Sequence, residues 1–242
     1  AHLHFPATAR AAEFLERMGE DPASIYLTGC PAIDIVAETD LSLPADIFER
    51  YSGVGSKLTT EKDYIIVLQH PVTTEYGRNH GQIEATLEAV HPLALAGMQV
   101  VWLWPNVDAG SDEVSKGIRT FREYRPTPNM HFYKNFDPQE YVQLLANARC
   151  IVGNSSSGLR EGAFLGAPCV NIGTRQAGRE RGVNVIDVGH DVGEIRQAIE
   201  RQLSHGRYPS SNLVGDGSAG RRIADILSTH EFKIQKMISY VG

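Results

Sequence analysis

Three consecutive hydroxyls, Ser155-Ser156-Ser157, stand between Gly153-Asn154 and Gly158, with Leu159-Arg160-Glu161-Gly162 following directly. The run comes after a short apolar strand pattern, Cys150-Ile151-Val152, and opens a helix pattern from Ser157 to Leu165. Gly153 and Gly158 are expected to let the backbone turn tightly and approach a ligand. The free N–H groups of the first helical turn and the three hydroxyls then converge on one spot. A phosphate or pyrophosphate suits that spot. The same serines also suit an ordinary helix cap, so the loop alone leaves both readings open.

Four further groups stand at comparable places. His70 sits at the mouth of the strand pattern Tyr64–Gln69, with Pro71 fixing the exit of the chain. An imidazole titrating near neutrality there can donate to a phosphate oxygen or move a proton; it can equally cap a strand end. In Trp104–Ser111, Asn106 and Asp108 can orient a polar ligand, although Asn, Asp and Ser are also turn and N-cap residues. Glu161 projects from the first turns of the Ser-rich helix, where a carboxylate can accept both hydroxyls of a ribose, or simply favour the positive end of the helix dipole. Arg175, Arg179 and Arg181 follow the apolar run Cys169–Ile172 and offer planar, multi-donor recognition of an anion.

These groups need a scaffold, and the chain supplies alternating strands and helices between Asp63 and Gly189. Strand patterns occur at 64–69, 100–104, 130–133, 150–152, 169–172 and 183–188. Helix patterns occur at 80–90, 111–124, 138–148, 157–165 and 192–203. Strands this short and this apolar, separated by single helices, predict a doubly wound α/β domain with a parallel sheet covered on both faces. Ligands of such folds sit at the carboxyl ends of the strands, where all the loops above fall. Ahead of this domain the pattern gives a strand at residues 3–5, an amphipathic helix at 8–18, a strand at 25–27 and the turn Gly29-Cys30-Pro31. A polar stretch from Ser42 to Lys62 follows, with one short helix at 45–51.

With 242 residues, 42% hydrophobic and 21% charged, the chain has ample core-forming material for one or two domains. No apolar run approaches the ~20 residues that span a bilayer, and no signal segment opens the sequence, so the reading is cytoplasmic, without a membrane partner. A net charge of -6 without a basic cluster argues against nucleic acid. Cys30, Cys150 and Cys169 lack CxxC spacing and read as thiols rather than disulfides or metal ligands. The opening Ala1-His2-Leu3-His4-Phe5, with no initiator methionine, reads as the start of a fragment.

The segments LQHPVTTE (68–75), WPNVDAGS (104–111), VGNSSSGLREGAFLGAP (152–168) and NIGTRQAGRE (171–180), in this order and spacing, resemble UDP-N-acetylglucosamine 2-epimerases. The hydrolysing branch, of the sialic-acid and legionaminic-acid pathway type, is the nearest, through GTRQxGRE; HLHF and GCPAID (29–34) extend the resemblance over nearly the whole chain. The resemblance implies the C-terminal Rossmann-like domain of a GT-B type two-domain enzyme. Residues 1–36 would be the end of an N-terminal domain, 37–62 a linker, 63–228 the UDP-binding domain, and 229–242 a helix returning toward the N-terminal domain.

It further implies roles for particular residues. His70 would assist at the leaving diphosphate, Ser155 and Ser156 would hold phosphate oxygens, Glu161 would bind ribose, and the backbone near Asn135 would read uracil. Asn106 and Arg175 match further UDP-contacting positions. The implied reaction eliminates UDP across C1 and C2 to a 2-acetamidoglucal and adds water to give N-acetylmannosamine, with no metal or other cofactor. The full-length protein would be a homo-oligomer. The acid and base residues, and those contacting the hexose, would lie in an N-terminal portion that this chain lacks. The sugar is therefore either N-acetylglucosamine or a diacetamido-trideoxy sugar. Asp112 replaces the basic residue of the pattern at which animal members bind CMP-sialic acid, which argues against that feedback. Two rival readings are a GT-B glycosyltransferase with a UDP-sugar donor and a UDP-binding module without chemistry.

Overall fold

The computed structural model describes residues 1–231 and Gln235. Most of the helix expected within 229–242, residues 232–234 and 236–242, lies outside the described residues. Short strands, none longer than five residues, alternate with helices through the middle of the chain, and they assemble into one seven-stranded sheet.

Its strands are β1 (Gly53–Gly55), β2 (Tyr64–Leu68), β3 (Gln99–Leu103), β4 (Met130–Tyr133), β5 (Cys150–Gly153), β6 (Cys169–Ile172) and β7 (Val185–Val188), in the order β1-β4-β3-β2-β5-β6-β7. All neighbours pair in parallel except β1, which runs antiparallel along β4. From β2 the chain winds outward through β3 to β4, then returns to the other side of β2 and winds the opposite way. The reversal puts a topological switch point between β2 and β5, where an open α/β sheet leaves a crevice at its carboxyl end. The expected doubly wound parallel sheet is therefore present.

The nine helices among the described residues are α1 (Ala9–Arg17), α2 (Pro31–Glu38), α3 (Ile47–Arg50), α4 (Asn79–Leu95), α5 (Ser111–Tyr124), α6 (Pro138–Asn147), α7 (Glu161–Leu165), α8 (Val192–His205) and α9 (Ala219–Thr229). Strand side chains alternate between two cores, as the pleat requires. Ile65, Val67, Val100 and Trp102 face α4, α5 and α8, whose Ile83, Leu87, Val114, Ile118, Ile195 and Ile199 complete one core. Tyr64, Ile66, Val101, Leu103 and Ile151 face α3 and α6 through Ile47, Phe48, Leu144 and Leu145. Each fully buried aliphatic side chain of this kind contributes about 1.5–3 kcal/mol of transfer free energy, so both faces hold the sheet firmly.

Several elements differ from expectation. The strands at 3–5 and 25–27 reduce to one parallel bridge between His4 and Ile25, closed by the His4 N–H to Ser24 and the Tyr26 N–H to His4. The stretch 37–62 holds the short helix expected at 45–51 as α3, with Ile47 and Phe48 in the second core, and adds the unexpected strand β1. The turn at Gly29-Cys30-Pro31 leads directly into α2, with Pro31 at its first position, where the missing N–H costs nothing. Helix α9 also joins the fold, its first N–H groups capped from a distance: Ala219 and Gly220 donate to the Asp34 carboxylate of α2 at 3.0 and 2.6 Å. No helix among the described residues is long and apolar enough to cross a membrane.

Candidate functional site

The loop after β5 enters the crevice at Gly153. Its φ of +131° is open to glycine, and a Cβ there would run into the carbonyl oxygen of Leu68 on β2. Gly158 packs under the sheet, where a Cβ would meet Cys169 Sγ and Ile151. Both glycines thus serve close packing of protein on protein. The helix expected at 157–165 is also shorter. A 3₁₀ turn, Ser156–Gly158, precedes the five-residue α7, and Ser155 caps that turn by accepting from the Ser157 N–H. So short a helix has little macrodipole, which leaves hydroxyls and guanidinium groups as the polar donors at this loop.

Asn154 ties the loops together. It is fully buried, and its side chain brackets the backbone of His70: the His70 N–H donates to Oδ1 at 2.7 Å, and Nδ2 donates to the His70 carbonyl at 2.8 Å. Its own carbonyl accepts from Arg175 Nη1 at 3.3 Å and Gln176 Nε2 at 2.7 Å. One asparagine therefore joins the loops after β2, β5 and β6. Sequence reasoning missed it, because it stands inside a run whose serines and glycines drew the chemical argument. Only its place between strand and hydroxyls could have marked it.

His70 is 6% exposed and its Nδ1 accepts the backbone N–H of Asn106 at 3.1 Å. An acceptor at Nδ1 puts the proton of the neutral ring on Nε2. Burial, helped by the nearby Arg175 charge and opposed by Asp108, pushes the imidazole down to about 4. The ring is thus neutral near pH 7, below the near-neutral titration expected from sequence. Arg175 lies 3.9 Å from the Asp108 carboxylate, and burial lowers its own pKa.

On the other side of the crevice Glu161 is 13% exposed at its side chain, and burial raises its pKa. One carboxylate oxygen lies 3.7 Å from Arg160 Nη2, while Oε2 is buried with no hydrogen-bond partner. Arg160 Nη2 also donates to Ser156 Oγ at 3.2 Å. Ser155 Oγ and Ser157 Oγ are 2.9 Å apart, and the Tyr141 hydroxyl is 2.7 Å from Ser157 Oγ. Tyr141 in turn lines a cleft of about 450 Å³ shared by Trp104, Asn106, Lys134 and Asn135.

The seven residues expected at a site therefore share one end of the sheet. His70, Asn106 and Arg175 are linked through Asn154; Ser155, Ser156 and Glu161 border the same loop; Asn135 joins Asn106 in the adjoining cleft. Neutral donors, a guanidinium and a carboxylate with one oxygen lacking a hydrogen-bond partner, around a switch-point crevice, suit a molecule carrying both an anionic group and adjacent hydroxyls.

A family model described as UDP-N-acetylglucosamine 2-epimerase matches residues 1–228. The chain is 32% identical over 230 residues to the UDP-N,N'-diacetylbacillosamine 2-epimerase (hydrolyzing) of Legionella pneumophila, covering 95% of this chain and 58% of that protein. It is 27% identical over 236 residues to the UDP-N-acetylglucosamine 2-epimerase of Neisseria meningitidis, covering 96% and 59%. The chain thus spans somewhat under three-fifths of the length of these relatives. Its fold is similar to that of the Methanocaldococcus jannaschii UDP-GlcNAc 2-epimerase crystallised with UDP-GlcNAc and UDP. The TM-score is 0.71 at 17% identity, over 95% of this chain and 62% of that one. The architecture is that of a Rossmann-like domain of the GT-B type.

Proposed function

This chain belongs to the UDP-N-acetylglucosamine 2-epimerase family, and from that premise we propose that it is the nucleotide-holding part of a hydrolysing UDP-N-acetylglucosamine 2-epimerase. The reading rests chiefly on Glu161, a buried carboxylate with one oxygen unpartnered beside the hydroxyl loop. Leaving such an oxygen unsatisfied costs about 1–3 kcal/mol, and the two adjacent hydroxyls of a ribose would satisfy it. In this reading Ser155 and Ser156 hold phosphate oxygens, Arg175 faces the diphosphate, and the cleft beside Asn106 and Asn135 takes the uracil.

The chemistry follows from the charge that develops. The C2–H and C1–O bonds break and a C1=C2 double bond forms, so UDP departs with added negative charge. Nε2–H of His70, the serine hydroxyls and Arg175 are fixed donors for that charge, which is worth most where water is excluded. A diphosphate beside His70 raises its pKa from about 4, so nucleotide binding itself brings the imidazole toward protonation when the leaving group needs a proton. Water then adds to the glucal, with oxygen at C1 and hydrogen at C2 from the opposite face. The base that takes the C2 proton and the acid that returns one belong, in this reading, to protein outside this chain. Residues 1–36 would end the domain that carries them.

A second substrate is favoured by a specific observation, the 32% identity to the Legionella protein: UDP-N,N'-diacetylbacillosamine. Proton NMR of the complete protein with each UDP-sugar and no acceptor decides the matter. Release of UDP with free N-acetylmannosamine supports the proposal, and turnover of the diacetamido sugar alone selects the second substrate. Formation of UDP-N-acetylmannosamine without UDP release overturns the hydrolysing assignment. No consumption of either sugar without an acceptor points to glycosyl transfer.

A further inference from the structure

We infer that Tyr141 is a positioning residue that, through Ser157, fixes the Ser155 hydroxyl as a donor toward the nucleotide's phosphate. The inference rests on the UDP reading above and extends it to residues outside the phosphate contacts.

The geometry is a chain of three hydroxyls. Tyr141, on α6, lines the cleft and places its hydroxyl 2.7 Å from Ser157 Oγ. Ser157 Oγ is 2.9 Å from Ser155 Oγ, and the Ser157 N–H also donates to Ser155 Oγ at 3.3 Å. Each hydroxyl owns one proton and two acceptor lone pairs, so the order of donation along the chain is decided at its head. A phenol is more acidic than a serine and is the stronger donor. Burial keeps the Tyr141 phenol above its ordinary pKa and therefore protonated. Tyr141 donates to Ser157, and Ser157 donates to Ser155. Ser155 Oγ then accepts from both the N–H and the O–H of Ser157, which fills its lone pairs. Its own O–H is the open end of the chain.

An anion at that end strengthens every link, because hydrogen bonds in series polarise one another in a low-dielectric setting. Without the phenol, Ser155 is free to turn and donate to Ser157, and the loop presents a lone pair to the phosphate instead of a proton. Tyr141 borders the cleft assigned to the base while its hydroxyl orders the phosphate loop, so one residue serves both halves of the nucleotide.

The test measures binding of UDP and of uridine to the 242-residue chain by NMR titration, for the wild type, Tyr141→Phe, Ser157→Ala and the double variant. Phe retains the ring, and Ser157→Ala removes the relay without touching the cleft wall. Each single variant is expected to bind UDP about five- to tenfold more weakly, the loss of one useful hydrogen bond, with uridine affinity unchanged. The double variant is expected to be no weaker than either single one, because both break the same chain. Wild-type affinity for UDP in Tyr141→Phe, or an equal loss for uridine, overturns the relay while leaving the site intact. A wild-type chain that binds neither ligand removes the UDP reading itself, and the relay with it.

Discussion

His70 and Glu161 show what single residues contribute, and each gives up stability for chemistry. For His70 the folded pKa is about 4 against an unfolded value near 6.5. Between those values the unfolded chain binds more protons, so stability is present above pH 6.5 and is lost as pH falls toward 4. The difference amounts to about 3 kcal/mol. Urea unfolding at a series of pH values should therefore show a loss of that order on acidification that is absent from His70→Gln; equal slopes for the two proteins would refute the buried neutral imidazole. Glu161→Gln removes a buried carboxylate that is poorly compensated. It should raise stability by about 1 kcal/mol while weakening UDP binding at least about tenfold, since a charge-assisted acceptor for the ribose is lost. A variant that is both less stable and equally good at binding would contradict this assignment. At this scale the sequence located the loops beyond the strand ends, where His70, Asn106 and Arg175 stand within three residues of a strand. Asn154 escaped because its importance lies in three tertiary hydrogen-bonded neighbours, which no local pattern encodes.

Among the elements, β2 and β5 carry the site, and their contact is closest where Gly153 lies over Leu68. Gly153→Ala combines a positive φ with a collision against backbone. It should destabilise the fold by about 2 kcal/mol or more and abolish UDP binding by moving Asn154; a thermal melt and a titration on one sample check both. The parallel strands β2 to β6 were legible because their short apolar runs are buried on both faces; β7, half-exposed at the sheet edge with Asp187 in it, was legible from its flanking valines and isoleucine. The elements that were not legible have identifiable causes. The strand β1 is Gly-Val-Gly, three exposed residues without alternation, and a Cβ at either glycine would strike β4. Helix α4 runs on through Pro92 to Leu95, beyond the end at residue 90 expected from the sequence. There tertiary anchoring prevails, with Ala94 buried, His91 Nε2 2.7 Å from the Pro126 carbonyl and Arg125 paired with Glu88. Helix α9 depends on Asp34 from a distant helix for its cap, so its start carries no local signal.

For the molecule as a whole, winding in two directions from β2 is what gathers residues from 70 to 175 at one crevice. The two-sided core makes that arrangement rigid, and the polar network of Asn154 then fixes the loops on it. In the proposed enzyme this domain binds the nucleotide and stabilises the leaving group, and the remaining protein supplies proton transfer at C2. The 242-residue chain should accordingly bind UDP yet release no N-acetylmannosamine from UDP-N-acetylglucosamine; product appearing in a proton NMR assay of the chain alone would place the acid and base groups within it. The central claim, one nucleotide site at the β2–β5 switch point, is tested most directly by titrating UDP into the ¹⁵N-labelled chain and mapping the amide shifts. The account predicts shifts concentrated at His70, Asn106, Asn135, Asn154 to Glu161 and Arg175. Shifts centred instead on the cleft beside Thr28, Asp216 and Arg222, or no shifts at saturating UDP, would contradict it.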